Sequence, residues 1–407
     1  MFNIKKISYI LFILSLFFIY PGEVGSFLGS RNGIFVIFFI LFIILFMCKK
    51  DNSIYIKNRN FLYIIFIVFI AKILFFIFYS FIFIDVESAN IAIKILFILI
   101  FFLLVYNLLG IEKIINGVIY FVVINLILAS IGLFIAPFID PIQTIITYDG
   151  RVINNYIVTY SKAGYMLGNI TFIRPSGFLD EPGQLAFLAM HIHFINNYFF
   201  KKRIVNRIII IGGILTTSLS FIMYLIVFSI LSILFRVSIM NKIYFSSIFI
   251  LFTVISIIWY QNSDSYIKIG VEKLLVDRLT LSSDKDKMFE GDNRSELILG
   301  DMKIFANNSL WGVGNDEFKE HGYGSNIIKW GATYGSIVYI ILFLPFLIVI
   351  LNLLKNKNFF YLLNFLLILL FYIQRPSFTT PIYLIMAIAI LYITSRKVKS
   401  VNKYSNN

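Results

Sequence analysis

The chain has 407 residues, of which 59% are apolar, 18% aromatic and only 14% charged, with a formal net charge of +14. A soluble domain of this size with so little charge would expose large apolar patches, so the composition excludes that class and indicates a polytopic membrane protein. The single cysteine, Cys48, excludes an internal disulfide and a thiolate cluster for zinc.

At the N-terminus, "MFNIKKISYILFILSLFFIY" has the charge and apolar run of a signal peptide. It carries no clear small-residue cleavage site and further spans follow, so an uncleaved first helix over Ile7–Tyr20 is expected. Apolar runs of spanning length continue at Gly33–Cys48, Phe61–Ile84, Ile91–Leu109 and Gly117–Ile139. Lys72 and Lys94 lie inside two of them. Lys72 is open to three readings: snorkelling, pairing with a carboxylate, or contact with a lipid phosphate.

A polar segment, 140–181, then ends in "RPSGFLDEPG" at 174–183. Pro182 suits the first turn of a helix, and Asp180 or Glu181 suits its cap and dipole. The next span is therefore Pro182–Phe200. His191 and His193 are two apart on it, point in different directions and cannot chelate one ion together. They are packing or pore-side residues. The following run, Ile204–Phe235, would be roughly 48 Å long as one helix, well beyond a ~30 Å hydrocarbon core. "TTSLS" at 216–220 interrupts it, which predicts two short helices turning at Thr217–Ser218.

After a span at Tyr244–Tyr260 comes a second long polar segment, 261–326. Within it, Asn293–Asn307 reads as a short amphipathic helix capped by Asp292 or Asn293. Arg294, Ile298, Met302 and Phe305 share one face of that helix, so Arg294 lies on the apolar stripe and needs an anionic partner, a loop carboxylate such as Asp180 or Glu181, or a ligand. "WGVGN" and "HGYGSN" supply glycine turns but match no phosphate-binding pattern, so no nucleotide is assigned. The last spans are Ile327–Leu354, Phe359–Ile373 and Pro381–Thr394.

With the hairpin, the chain is an all-α polytopic membrane protein of about 12 spans. It forms a single membrane domain over 1–407, with both termini on one side. The connections on that side hold 19 Lys/Arg against two acids, Asp51 and Glu112, while the other side holds 14 Lys/Arg and 19 acids. This bias assigns both termini to the cytoplasm. The positive charge is thus mainly an orientation signal, and nucleic acid is excluded as a partner. The two long segments face outward, and long loops in a compact protein are the usual place for function.

Arg174 stands where the first of those loops meets the membrane, a place suited to a lipid-linked anion. His321 is the one histidine placed in an outer loop for acid–base work. No set of histidines and cysteines suggests zinc.

"RPSGFLDEPGQLAF", then "NRSELILGDMKIFANNSLWGVGNDEF" and "SNIIKWGATYGSI", with many spans and two long outer loops, resemble the Wzy-type O-antigen or capsular polysaccharide polymerases and the related O-antigen ligases. The resemblance covers residues 130–350 in motifs and the whole chain in layout. In that family an arginine in each of two periplasmic loops is important, which implies roles for Arg174 and Arg294. The family's G-x-G followed by His-Asn before a span corresponds to Gly312, Gly314 and Asn326. Here Ser325 precedes Asn326, and the nearest histidine is His321. "TTSLS" resembles the family's Ser-Arg turn without its arginine.

The resemblance implies transfer of a growing glycan from undecaprenyl pyrophosphate to a hydroxyl of the next lipid-linked unit, on the outer face of a bacterial cytoplasmic (inner) membrane. Arg174, Arg294, Arg278 and Asn326 are the implied pyrophosphate ligands, since arginines stabilise developing charge by bidentate hydrogen bonds. Glu181, Asp180 or His321 would serve as base, Glu181 ranked first for its tie to Arg174. No metal or cofactor is required by this scheme. A chain-length regulator and a flippase are the implied protein partners. An O-antigen ligase acting on lipid A-core, and a non-enzymatic flippase or transporter of lipid-linked oligosaccharide, are the alternatives.

Overall fold

The structure, a computed structural model, describes residues 4–19, 31–49, 59–146, 152–156, 159–162, 166–167, 170–171, 174–179, 181–236, 261–262, 268, 295–321, 327–372, 378 and 380–395. Among the described residues, five helices come first: α1 (Ile4–Ile19), α2 (Arg31–Met47), α3 (Arg59–Phe83), α4 (Val86–Leu109) and α5 (Ile111–Ile135). Their Ile, Leu and Phe runs satisfy every interior backbone group within the helix, which is what hydrocarbon demands. Among the described residues, four helices, Phe61–Phe83, Val86–Leu109, Ile111–Ile135 and Ile337–Lys355, are long and apolar enough to cross a membrane. Shorter apolar helices lie at Val36–Met47, Leu219–Phe235, Phe359–Tyr372 and Pro381–Ser395. The protein is a helical, membrane-embedded chain.

The segment expected as a plain outer loop is partly folded. Strands β1 (Gln143–Ile146), β2 (Val152–Asn155), β3 (Tyr160–Lys162) and β6 (Arg174–Gly177) form an antiparallel sheet in the order β1-β2-β3-β6. A smaller ribbon pairs β4 (Met166–Leu167) with β5 (Ile170–Thr171). The helical fold class stands, with this small sheet added on one face.

Helix α6 (Pro182–Ile195) begins at Pro182, as its sequence predicts, and runs into a π-helical turn at Asn196–Phe200. The apolar run after it is split as expected. Helix α7 (Arg203–Leu215) stops, Thr217 takes a left-handed φ of 51°, and α8 (Leu219–Arg236) begins. Both helices pack on α6.

The second half holds α9 (Ser295–Asn307), α10 (Asn315–His321), α11 (Ile327–Tyr334), α12 (Ile337–Lys355), α13 (Phe359–Tyr372) and α14 (Pro381–Ser395). Here the expectation of one span over Ile327–Leu354 is corrected. Gly335 and Ser336 break it into α11 and α12, because the Leu310–Trp311 backbone lies against Gly335 and fills the space a side chain would need.

Contacts between helix ends sort the connections into two faces. On one, Lys49 Nζ donates to the Asn107 carbonyl (3.1 Å), Lys202 Nζ to Asn116 Oδ1 (2.9 Å), Tyr361 Oη to the Asn197 carbonyl (2.9 Å) and Asn356 Nδ2 to the Thr394 carbonyl (3.3 Å). These are ends of connections that the basic-residue count groups together. On the other face, Tyr79 meets Trp311 and Thr333, Asp85 meets Asn315, and Arg174 meets Thr217.

The core runs through α14 and α6, whose side chains are buried almost throughout. His191 Nδ1 lies 2.8 Å from the Phe187 carbonyl, so it must donate, and Nε2 then accepts from Tyr372 Oη at 3.0 Å. His193 accepts from Asn197 Nδ2 at Nε2 (2.9 Å) and donates from Nδ1 to Tyr224 Oη (2.8 Å). Both rings are satisfied within the bundle, which makes them packing residues rather than pore-side groups.

Candidate functional site

The end of the first long polar segment does not stay at the surface. Glycine at 177 has φ +62°, and its Cα lies so close to α5 that an added Cβ would be 2.7 Å from the Asn125 carbonyl. Asn125 is ten residues below the end of α5 at Ile135, roughly 15 Å along the helix. Non-helical backbone at that depth must have its polar groups satisfied by protein. Phe178 N–H donates to Asn125 Oδ1 (2.9 Å), and Gly177 N–H donates to Thr159 Oγ1 (3.0 Å). Ser176 Oγ donates to the Leu179 carbonyl at 2.5 Å. Pro175, Ser176, Gly177 and Leu179 are buried, so "RPSGFL" is a re-entrant segment wedged against α5.

Arg174 stands at the mouth of this wedge, half-buried. Its Nε donates to Thr217 Oγ1 and its Nη2 to the Thr217 carbonyl, both at 3.3 Å. The tip of the α7–α8 hairpin therefore holds one edge of the guanidinium. The register of β3 on β6 sets Lys162 opposite Arg174 in the backbone ladder. Sequence places the turn at Thr217 but gives no signal that Arg174 meets it or that Lys162 stands opposite, because neither strand register nor contacts between distant segments can be read from a polar loop.

Glu181 is the N-cap residue of α6, with extended backbone and a carbonyl that accepts from Gln184 and Leu185, but its carboxylate makes no capping bond. Arg174 is held at the hairpin tip through Thr217. Asp180, Arg278, Arg294 and Asn326 lie outside the described residues. His321 is the last residue of α10, and its side chain lies outside them as well.

The predicted amphipathic helix is present as α9, but it is turned differently. Met302, expected on the packed stripe, is 48% exposed, while Asp301 is fully buried. Ile298, Asp301 and Phe305 follow at spacings of three and four, so α11, which packs on α9, covers that face instead. Phe305 sits edge-on to Tyr339, ring centroids 6.1 Å apart. Asp301 is a buried carboxylate that apolar periodicity could not reveal.

A second polar cluster pins this segment to α3 and α4. Asp85 caps α4, accepting from the N–H groups of Glu87 (2.9 Å) and Ser88 (3.3 Å) and from Ser88 Oγ (2.6 Å). Asn315 Nδ2 donates to the same carboxylate and to Tyr334 Oη. Tyr79 Oη bridges the carbonyls of Thr333 (2.5 Å) and Trp311 (3.0 Å). In "WGVGN", Val313 and Gly314 donate their N–H groups to the Ala332 and Thr333 carbonyls, so Gly312 and Gly314 shape a clamp on α11 rather than a phosphate cradle. Outside the clamp, Lys319 bridges to Glu87 at 2.8 Å on the surface.

Burial by itself would raise the pKa of Asp85, but hydrogen bonds from Ser88, Asn315 and the Glu87 backbone hold it below the ordinary value of 3.8. A depressed carboxylate pKa stabilises the fold above the unfolded value and loses that contribution as pH falls through the folded one. Asp85→Asn is expected to lower the melting temperature at pH 7 and to flatten its decline below about pH 4. A melting curve that keeps the wild-type acid dependence in the variant would show that Asp85 is not the group responsible.

Among the described residues, no group of three or more His, Cys, Asp or Glu side chains is placed to hold a metal ion. No family model matches the chain, and no curated protein matches it.

Proposed function

We propose that the chain is a membrane glycosyltransferase of the polysaccharide polymerase kind. It joins lipid-linked oligosaccharide repeat units on the outer face of a bacterial cytoplasmic membrane. The observation that carries the reading is Arg174: a half-buried guanidinium at the mouth of a re-entrant strand, steadied by Thr217. A cation concentrated where an outer segment enters the membrane suits a pyrophosphate on a polyprenyl anchor. The motif resemblance in "RPSGFLDEPGQLAF" supports the same assignment.

In this scheme Arg174, with Arg294, Arg278 and Asn326 from the second outer segment, receives the donor's pyrophosphate. The bond from its β-oxygen to the anomeric carbon breaks, and the acceptor hydroxyl oxygen forms the new bond to that carbon. Negative charge grows on the departing pyrophosphate, and preplaced guanidinium groups lower the barrier by meeting it there. Glu181, Asp180 or His321 takes the acceptor's proton. The Thr217 contacts fix the guanidinium plane so that little ordering remains at the moment of reaction.

Reconstitution tests this reading. Purified protein in vesicles, given lipid-linked repeat units, is expected to build a ladder of lengthening lipid-linked products. Growth only on added lipid A-core would make the chain a ligase. Movement of the substrate across the bilayer without extension would make it a transporter and end the polymerase proposal.

A further inference from the structure

The end of the bundle where α5 and α7 begin takes no part in that chemistry, yet its cations are held by a built turn. Lys202 Nζ lies 5.4 Å from the centroid of the Tyr120 ring and 5.3 Å from that of Phe200, and donates to Asn116 Oδ1 at 2.9 Å. Fully buried Asn196 braces the same turn. It accepts from the Lys202 N–H (3.3 Å) and donates to the Lys202 carbonyl (2.9 Å) and to Asn206 Oδ1 (2.6 Å). A charge bias that only orients the chain needs no such bracket. With Lys202 tied to α5, its neighbours Lys201, Arg203 and Arg207 are exposed. Lys113, one turn before Asn116 on the same side of α5, is a fourth exposed cation. Against these four, Glu112 is the only acid on α5 or α7.

An apolar groove leads away from these cations. Lys202 meets Asn116, and ten residues further along both helices Gly212 meets Leu126, so α5 and α7 run side by side in one direction. A Cβ on Gly212 would lie 2.8 Å from Leu126 Cβ, which makes this close approach the floor of the groove. Gly213, on the adjoining face of α7, abuts Phe221 of α8. The side of α7 turned away from Phe221 carries Ile204, Ile208 and Ile211, with Ile204 72% and Ile211 59% exposed. Facing it across the floor is an exposed stripe of α5, Tyr120, Ile124 and Ile127, at helical spacings of four and three. At 13 residues α7 is roughly 20 Å long, short of a ~30 Å hydrocarbon core. Its basic start therefore stays at the membrane surface while its isoleucines enter hydrocarbon. We propose that the groove binds one anionic phospholipid. Its phosphate sits among Lys113, Lys201, Arg203 and Arg207, and an acyl chain lies between the two apolar stripes. The charge selects the headgroup, and a groove running from cations into hydrocarbon selects a lipid over a soluble anion. This site is separate from Arg174 and does not depend on the glycan reading.

The test uses the purified full chain, stripped of lipid and titrated with phosphatidylglycerol or phosphatidylcholine, with occupancy read by native mass spectrometry. Phosphatidylglycerol should bind at one per chain, about tenfold or more tighter than phosphatidylcholine, and inorganic phosphate should not displace it. Arg203→Gln combined with Arg207→Gln should weaken its binding about tenfold or more. Lys355→Gln combined with Lys357→Gln removes the same charge at the end of α12 and should leave binding unchanged. Should a variant fail to insert, wild-type protein still decides. Phosphatidylglycerol with a photoreactive acyl chain should crosslink chiefly to peptides holding residues 120–127 and 204–211. Equal binding of the two lipids, displacement by inorganic phosphate, the same effect or none in both double variants, or crosslinks spread evenly over the exposed helix faces would overturn the proposal.

Discussion

Membranes carrying Arg174→Ala are expected to accumulate lipid-linked single repeat units and no long polymer, with the protein at wild-type abundance. Loss of one preplaced donor to a developing charge typically lowers turnover by about 10²–10³. Arg294→Ala should behave alike if both residues meet one pyrophosphate. Lysine should rescue Arg174 poorly, since an ammonium keeps the charge but loses the planar fork.

The rival account makes Arg174 a latch for the hairpin. Its two hydrogen bonds to Thr217 are real and would be lost with the side chain. On that account Arg174→Ala and Thr217→Ala should lower melting temperature by similar amounts, and Arg174→Lys should restore both stability and activity. On the catalytic account Thr217→Ala stays near wild type in stability and lowers turnover modestly, because the guanidinium is still present but less well held. Full-length polymer from a well-expressed Arg174→Ala protein would refute the catalytic role.

Gly335→Ala is expected to remove most folded protein. Gly335 sits at φ +74°, and a Cβ there would lie 2.0 Å from the Leu310 carbonyl oxygen and 2.5 Å from the Trp311 nitrogen. Backbone cannot yield as a flexible side chain can, so the clamp of the Leu310–Gly314 backbone onto α11 must open. Gly314→Ala is the control. Its φ is +86°, but the nearest atom is 3.9 Å away, leaving the left-handed backbone cost of about 1–2 kcal/mol. A thermal-shift assay in detergent should therefore show a modest loss for Gly314→Ala and a far larger one for Gly335→Ala. Equal losses would mean that conformation alone, not the close approach of Leu310, governs the break between α11 and α12.

Much of this protein was legible in its amino-acid order because the bilayer enforces simple rules. Ile, Leu and Phe runs must become helices, since backbone in hydrocarbon has no other partner. Pro182 marked the start of α6, and "TTSLS" marked the turn at Thr217, because both act locally on the backbone. The basic-residue bias grouped connections whose ends do meet, at Lys202 with Asn116 and Asn356 with Thr394. Arg174 stood out because it is an arginine at the edge of an apolar run.

The rest depends on which surfaces meet, and no local pattern encodes that. Strands of two to four residues have too short a period to announce themselves, so the sheet beneath Arg174 and its pairing with Lys162 were hidden. The hydrophobic stripe on α9 pointed to Met302, but α11 arrives on the neighbouring face and buries Asp301. The run Ile327–Leu354 reads as one helix until the Leu310–Trp311 backbone presses on Gly335. The same holds for Lys72. Its sequence says only that a cation lies in a span, and it took the packing of α3, α12 and α14 to bury it among side chains of helices that carry no acid. Composition and order determined the helices and, through the charge bias, the expected sides, because membrane solvation acts on each segment separately. Tertiary packing decided the depth of the re-entrant strand, the neighbours of Arg174 and the burial of Lys72, because those depend on close contacts between segments far apart in the chain.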